Sequence, residues 1–358
     1  MAWLDRDRMP VRFTVGTSVL SGLILTTILK ALQTDIPNSV IFIWFALTSG
    51  GVAVISWVTF SILQTTRKRS RRAFLMTSAF SQKYYVAALV HRLHSAFDQD
   101  GIDLVLKVPD RDYDAGAQSQ HLERLLDRRR DYLGGVIVAS EVHRLRDDLT
   151  RFCQKSRLPI VFTDLEPFEN ESEYPDNSAF IGYDTGELGD LAGKWLAKRL
   201  RGKKRPRVLI IASREHRSRQ ERCAQVLRRE LDGVAITVED RCDFVRSRAY
   251  DAVHSHVRQL ESRQCLNAIF CTNDEMALGA VDALSATLPA THNTVVVGVD
   301  GVLEAKALIN TANSPLRATV VQDTHRLAVS VANLLVKMHR GRPVPKRTIL
   351  NAEVYEAE

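Results

Sequence analysis

Cysteine is scarce in this sequence, and the few cysteines are not arranged in pairs. The chain has 358 residues and five cysteines, which is an odd number. None of them forms a CxxC motif or stands in the cysteine–histidine spacing of a zinc site. We therefore expect neither a disulfide framework nor a structural zinc. Scattered free thiols also favour a reducing compartment.

Motifs of the common catalytic and cofactor-binding classes are missing as well. The sequence contains no nucleophile elbow, no P-loop and no GxGxxG. His91 and His94 lie one helical turn apart, but no third ligand accompanies them, so we expect no metal site. No acid–base pair accompanies a nucleophile. The sequence therefore predicts neither an enzyme nor a cofactor.

The charge balance gives little support to nucleic-acid binding. The formal net charge is +7, with 45% apolar and 25% charged residues, values that are ordinary for a globular protein. Much of the positive excess is local. The segment before Ala73 holds apolar runs rather than a helix-turn-helix, so we expect no nucleic-acid partner.

Two long apolar runs lie near the N-terminus, at residues 13–29 and 39–63. At about 1.5 Å per residue, the second run reaches roughly 37 Å, enough to cross the hydrocarbon core with tilt. We predict a transmembrane hairpin in residues 1–66, with spans at about 13–33 and 39–63. The alternative is a cleaved signal peptide, against which the second run argues.

Basic residues flank the predicted hairpin on both outer sides. Three arginines precede the first run, only Lys30 stands between the runs, and residues 67–72 form a basic linker. The positive-inside rule then places both ends in the cytoplasm. We predict a bacterial cytoplasmic (inner) membrane protein whose soluble domain, residues 73–358, lies on the cytoplasmic face. The alternative is the periplasmic or extracellular face. The lipid bilayer is an expected partner.

From Ala73 onward, apolar strand patterns alternate with helical periods such as Tyr84–Phe97 and Leu188–Leu200. This alternation predicts an α/β fold of parallel sheets flanked by helices, with ligands bound beyond the carboxyl ends of the strands. The ten predicted strands are Phe74–Ser78, Leu104–Val108, Gly135–Ala139, Pro159–Thr163, Ala179–Gly182, Val208–Ala212, Ala235–Val238, Ala268–Cys271, Val295–Val299 and Ala318–Val321.

Polar and aromatic side chains follow several of these predicted strands. Phe244, Asn273, Asp300 and Gln322 each stand at such a strand end, and they offer an aromatic face, two amides and a carboxylate. This set suits a small neutral polyol such as a sugar. Asn273 and Asp300 could instead cap the helices that follow them.

The stretches NDEMALGA at residues 273–280 and VVGVDG at 296–301 occur in an order that resembles the type I periplasmic binding proteins. The chain is most similar to the ribose-type sugar-binding branch, whose fold also forms the effector domain of lactose-repressor-like regulators. The resemblance covers about four fifths of the chain, and the predicted hairpin is an addition to it. It implies two α/β lobes joined by three hinge crossovers.

The resemblance also implies a ligand site between the lobes. Two positions depart from the family pattern: Lys83 replaces a proline, and Leu165 stands where an arginine is usual. Asp274 and Glu275 are expected only to serve the dipole of the helix that they open. The site residues that the resemblance implies are Gln82, Tyr84, Tyr85, Asp164, Arg222, Phe244, Asn273, Asp300 and Gln322.

Sugar chemistry explains why these residue types suit such a site. Aromatic rings pack against the apolar C–H faces of a sugar, while carboxylates, amides and a guanidinium bind its rim of hydroxyls. By the family pattern, lobe 1 takes about residues 73–179 and 323–343, and lobe 2 takes about 180–322 and 344–358. Closure of the two lobes would trap the ligand.

The sequence leaves three functions open. The first is a membrane-anchored sensor or receptor for a small sugar or polyol. The second is the anchored substrate-binding component of a sugar ABC importer, facing outward and contacting a permease. The third is a ligand-gated membrane effector.

Overall fold

The computed structural model describes residues 72–78, 84–110, 114–260, 265–287 and 293–357, together with the six residues 51, 54, 55 and 57–59. It divides into two compact units, Met1–Arg71 and Arg72–Glu358. In the first unit the six described residues are helical, and the apolar ones among them are exposed. The rest of the predicted hairpin and Gln82 lie outside the described residues. Among those described, no helix has the length and apolarity to span a membrane.

The second unit begins with a lobe built on a six-stranded parallel sheet. From one edge of the sheet to the other, its strands are β11 Arg347–Leu350, β5 Ser178–Tyr183, β4 Ile160–Phe162, β3 Gly134–Ile137, β1 Arg72–Met76 and β2 Asp103–Lys107. Strands β1, β3 and β5 are almost wholly buried, as expected where helices cover both faces of a parallel sheet. The helices of this lobe are α1 Tyr84–Gln99, α2 Ala115–Asp127, α3 Val142–Ser156 and α9 Thr324–His339.

A second sheet forms the other lobe. From one edge to the other, its strands are β12 Glu353–Glu356, β10 Leu316–Val321, β9 Val295–Asp300, β8 Ala268–Cys271, β6 Arg207–Ile211 and β7 Ala235–Glu239. All its pairs are parallel except β12 with β10. The helices of this lobe are α4 Thr185–Leu200, α5 Arg217–Glu230, α6 Arg246–Arg258, α7 Asp274–Ala286 and α8 Leu303–Ile309.

The chain passes between the two sheets three times: after β5, after β10, and between β11 and β12. The first sheet therefore includes Ser178–Tyr183 and Arg347–Leu350. The limits between the lobes lie a few residues later than the expected limits of 179 and 343. The two-lobed α/β architecture with parallel sheets agrees with the sequence-based prediction.

Short polar contacts hold the crossovers together. Asp184 and Asp323 cap α4 and α9, the helices that follow the first two crossovers, by accepting bonds from backbone N–H groups. The Tyr183 hydroxyl donates to the Asp323 carbonyl at 3.2 Å, and Arg347 donates to Asp184 at 3.3 Å. The three crossovers are thus linked to one another, which suits a common hinge.

Close packing of α4 against α5 fixes the helix that carries a buried arginine. A Cβ at Gly189 would lie 2.1 Å from the carbonyl oxygen of Arg219, so only glycine permits this approach. The contact holds the first turn of α5 tightly against α4. It thereby sets the position of the Arg219 side chain.

Candidate functional site

A cavity opens where the carboxyl ends of both sheets face each other. It contains about 600 Å³ of space, its open mouth included. From the first lobe, Ser78, Ser140 and Asp164 line it, each just after the end of a strand. Its second-lobe walls come from the segments after β6, β7 and β8 and from the ends of β9 and β10. This is the place that parallel α/β sheets offer to ligands.

Six of the nine side chains expected from the sequence line this cavity. The remaining three do not: Gln82 lies outside the described residues, while Tyr84 and Arg222 point elsewhere. The six that meet are Tyr85, Asp164, Phe244, Asn273, Asp300 and Gln322.

The two adjacent tyrosines at the start of α1 have different environments. Tyr85 is 7% exposed and lines the cavity, whereas Tyr84 is 54% exposed and borders two outer grooves. Successive helical residues point about 100° apart, so both rings cannot face the cavity. Both tyrosines were expected in the site; the structure places Tyr85 at the cavity and Tyr84 outside it.

The arginine that interacts electrostatically with cavity residues is Arg219, not the expected Arg222. Arg222 is on the surface, where it forms an ion pair with Asp190 at 2.6 Å. Arg219 is 2% exposed and donates through Nη1 to the carbonyl of Thr272.

Arg219 is a buried cation that interacts electrostatically with Asp164 and Asp300 of the cavity. Burial lowers the pKa of Arg219, and the charges of Asp300, Asp164, Tyr85 and Asp274 raise it again. Burial raises the pKa of Asp300 well above its usual range, and Asp274 adds to this rise, whereas Arg219 and Gln322 oppose it. The guanidinium thus offsets part of a buried negative charge.

Asp300 and Gln322 form one unit at the floor of the cavity. The Gln322 amide donates to Asp300 Oδ1 at 2.8 Å, so Asp300 Oδ2 is the oxygen that a ligand donor would meet. Asn273 accepts a bond from the Met276 N–H at 3.0 Å and so caps α7. It is therefore both a cap and a cavity residue. Its amide nitrogen is the group that can donate into the cavity.

The backbone is strained at three of the cavity residues. Asp164, Phe244 and Asp300 have φ values of 70°, 62° and 120°, a region that side chains other than glycine rarely adopt. Such conformations cost on the order of 1–3 kcal/mol each and concentrate at functional sites. Three of the eight non-glycine residues with positive φ in the described part of the chain thus line the cavity.

Glu275 is a cavity residue that the sequence reasoning assigned only to the helix dipole. It is 5% exposed, lines the cavity, and accepts a bond of 3.4 Å from the Tyr84 N–H. Because Tyr84 belongs to the first lobe and Glu275 to the second, this bond joins the two lobes. Its neighbour Asp274 is fully buried beneath the cavity.

The stability of the protein is expected to depend on pH through Glu275. Burial raises the pKa of Glu275 from 4.5 to about 7; Glu304 adds to the rise, and the Tyr84 N–H and Arg246 oppose it. The folded state therefore holds a proton that the unfolded state releases. The stabilisation that this proton provides is complete below the pKa of Glu275 in the unfolded state. It is lost as the pH rises through the pKa of Glu275 in the folded state.

Glu275→Gln removes this titration, so it should reduce the fall in unfolding free energy between about pH 5 and about pH 8. Asp274, whose pKa burial also raises to about 7, keeps its own share of the fall. Urea unfolding at both pH values measures the change. Glu221→Gln, an exposed carboxylate replaced in the same way, serves as the control. An equal fall in the wild type and the Glu275 variant would contradict the burial of a titrating Glu275.

The fold and the cavity define a two-lobed binding protein, and comparison with known families agrees. Residues 73–343 match the family model described as a periplasmic binding protein domain. The chain belongs to this family.

Individual relatives are distant. A Rhizobium meliloti protein named as a rhizopine-binding protein is 23% identical over 258 residues, which are 71% of this chain and 80% of that protein. The transcriptional repressor PurR of Haemophilus influenzae (strain PittEE) is 24% identical over 281 residues, which are 77% of this chain and 76% of the repressor.

A solved structure shares the fold at low sequence identity. The ABC transporter periplasmic solute binding protein of Actinobacillus succinogenes, with bound D-allose, has a TM-score of 0.70 at 18% identity. The match covers 81% of this chain and 98% of that one. At this identity the likeness establishes the fold alone.

Proposed function

We propose that this chain binds a small sugar or related polyol in the cavity between its lobes. One observation carries the proposal: aromatic, carboxylate and amide groups from the two lobes converge on one cavity. Tyr85 and Phe244 supply faces for the ring, and Asp164, Asp300 and Gln322 supply partners for its hydroxyls. The bound allose in the similar solved structure supports this choice.

Ligand binding would favour a closed arrangement of the lobes. Gln322 directly follows β10, at the second crossover, and Glu275 touches the first lobe through Tyr84. A ligand held by Asp164 from one lobe and Asp300 from the other gains contacts only when the lobes approach. Those extra contacts are the free energy that can shift the equilibrium toward closure.

We further propose that the domain is anchored to the cytoplasmic membrane as a ligand sensor. The apolar runs and their basic flanks support an anchor with the domain in the cytoplasm. The exposed apolar side chains of Val54, Ile55 and Trp57 are of the kind that lipid would cover. All five cysteines are free, which suits a reducing compartment.

Two other assignments share the binding step but differ in its consequence. As the anchored component of an ABC importer, the domain would face outward and contact a permease. As a ligand-gated membrane effector, it would alter the permeability of the bilayer when it closes. Neither assignment, nor the sensor, gives the chain an enzymatic role.

A thermal-shift screen of the purified full-length chain tests ligand binding. Monosaccharides, polyols and nucleosides are added singly at millimolar concentration. We expect at least one sugar or polyol to raise the melting temperature in a saturable way. If every sugar and polyol leaves the melting temperature unchanged, the proposed binding function is wrong.

The side of the membrane is tested separately with reporter fusions at the C-terminus and with thiol labelling of Cys265, the exposed cysteine. A cytoplasmic reporter signal supports the sensor. Labelling of intact cells by an impermeant reagent would instead favour the importer component. Ligand-dependent leakage from liposomes would favour the effector.

Two arginines three positions apart on α5 give a sharp test of the site. Arg219→Met should weaken binding of the best polyol at least about tenfold, because Asp164 and Asp300 lose their buried counter-charge. Arg222→Met removes only a surface ion pair, so binding should change less than about threefold. Titration calorimetry compares the two variants. A larger effect of Arg222→Met would show instead that Arg222 contributes to the ligand site, as the sequence predicts.

A further inference from the structure

The hydroxyl group of Tyr85 lies at the cavity without a hydrogen-bond partner. Tyr85 lines the cavity from the first lobe and is 7% exposed. Its hydroxyl oxygen is buried, and nothing in the part of the chain that the structure describes forms a hydrogen bond with it. A buried hydroxyl that stays unpaired is unfavourable, so such a group normally meets a ligand or an ordered water.

The hydroxyl end of Tyr85, and not only its ring, is close to the acidic groups of the cavity. Burial raises the pKa of Tyr85 well above its usual range, and the charges of Asp164 and Asp300 add to this rise. Because the hydroxyl is the group that ionises, these interactions place it near two carboxyl groups that line the cavity from opposite lobes. The phenol keeps its proton there and can donate it in a hydrogen bond.

Two other unpartnered hydroxyls of the first lobe show what is particular about Tyr85. Thr77 and Thr163 are fully buried, and their hydroxyl oxygens also lack a partner among the described residues. They directly follow β1 and β4, and neither of them lines the cavity. Of these three hydroxyls, that of Tyr85 is therefore the one that a ligand in the cavity can reach.

We propose that the Tyr85 hydroxyl donates a hydrogen bond to one hydroxyl oxygen of the ligand and so makes the site reject the analogue that lacks this oxygen. This inference rests on the proposed binding of a sugar or polyol and adds a specificity-determining contact to it. The deoxy analogue would leave the phenol buried without a partner, whereas the hydroxylated ligand satisfies it. An apolar ring alone would discriminate poorly between the two.

The test combines one change in the protein with one change in the ligand. The probes are D-allose, D-glucose, D-ribose and myo-inositol, together with every sugar or polyol that raises the melting temperature, each compared with its monodeoxy analogues. Titration calorimetry on the full-length chain measures the affinities. Tyr85→Phe keeps the aromatic ring and removes the hydroxyl.

In the wild type, loss of one particular hydroxyl from a parent that binds should weaken affinity at least about fivefold. In Tyr85→Phe, affinity for the parent should fall at least about fivefold, and the analogue that lacks this hydroxyl should bind no worse than the parent. The preference at this one carbon should thus disappear together with the phenol.

Thr77→Val is the matched control, because it also removes an unpartnered buried hydroxyl with little change of shape. It should leave the affinities and the preference among the analogues unchanged. Without ligand, neither variant should unfold at a lower urea concentration than the wild type, since neither loses an internal hydrogen bond. Clear destabilisation of Tyr85→Phe would show that its hydroxyl has a structural partner, and the inference would be wrong.

The other outcomes separate this inference from the proposed function. If Tyr85→Phe binds a parent as tightly as the wild type does, the hydroxyl meets only water, and sugar binding stands without this contact. If Tyr85→Phe weakens the parent and all its analogues equally, the hydroxyl does not contact one particular ligand oxygen. If no sugar or polyol binds to the wild type, the inference and the proposed function fail together.

Discussion

Replacing Asp300 by alanine is expected to weaken ligand binding by at least about a hundredfold while leaving the protein folded. Asp300 ends β9 at the cavity floor, and Gln322 holds its carboxylate in place with a bond of 2.8 Å. Charge-assisted hydrogen bonds contribute about 1.5–3 kcal/mol each, and each 1.4 kcal/mol corresponds to about tenfold in affinity. Two such bonds to a ligand account for the expected loss.

Without ligand, the Asp300→Ala variant should be no less stable than the wild type. Burial raises the pKa of Asp300 well above its usual range, which means that the ionised carboxylate is poorly solvated where it lies. Its removal relieves that unfavourable burial, as is common for residues kept for function. Calorimetric titration and urea unfolding measure the two quantities.

Asp190→Ala is the matched control for the loss of an aspartate, since Asp190 pairs with Arg222 on the surface. Its affinity should stay within about threefold of the wild type. If Asp300→Ala binds the polyol normally while remaining folded, Asp300 does not contact the ligand. A collapse of folding in Asp300→Ala would show instead that its role is structural.

The sequence predicted most of the fold because parallel strands leave a strong signal. All ten predicted strands overlap strands β1 to β10. Most of them are buried and are therefore continuous apolar runs, whereas the edge strands β2 and β7 are largely exposed or half-buried. The last two strands, Arg347–Leu350 and Glu353–Glu356, were not predicted. Their residues are half-exposed and of mixed polarity, and only pairing with β5 and β10 makes them strands.

The expected site residues that follow strands meet at the cavity, whereas Tyr84 and Arg222, which lie on helices, do not. A strand end fixes where Asn273 or Asp300 must lie, because the sheet edge gathers all strand ends. On a helix, a shift of one or three residues changes which side chain faces the cavity. Of the two tyrosines expected on α1, Tyr85 lines the cavity and Tyr84 does not, and on α5 the buried arginine is Arg219 rather than the expected Arg222.

Glu275 and Asp274 were underestimated for a different reason. An acidic pair in the first turn of a helix is so common that its ordinary explanation, the helix dipole, is sufficient from sequence alone. Only the tertiary structure brings Glu275 to the cavity and Asp274 against the loop after β9. A pattern within one helix contains no information about the strand that lies beside it.

Asp274→Ala is expected to lower the free energy of unfolding by about 3–5 kcal/mol, the range for removing one partner from a buried charged network. Asp274 Oδ2 accepts from the N–H groups of Gly301 and Val302 at 2.8 and 2.9 Å, and Oδ1 accepts from the Thr319 hydroxyl at 2.8 Å. Alanine would leave these donors without their carboxylate. Urea unfolding measures the loss.

Two controls separate the lost hydrogen bonds from other effects. Asp274→Asn keeps an oxygen for the two N–H groups, so it should lose less than half as much stability as the alanine variant. Asp282→Ala removes an exposed carboxylate of the same helix, paired with Arg246, and should cost less than about 1 kcal/mol. A loss in Asp274→Ala as small as that of Asp282→Ala would contradict the buried network.

The same variant should also lose ligand affinity, because Asp274 acts on the site through the backbone. Its bonds to Gly301 and Val302 hold the turn that directly follows Asp300, where φ is 120° at Asp300 and 75° at Gly301. Without them, the strained turn can relax and carry the Asp300 carboxylate away from Gln322. Binding of the polyol to folded Asp274→Ala should therefore weaken although Asp274 does not line the cavity, and unchanged affinity would show that β9 alone positions Asp300.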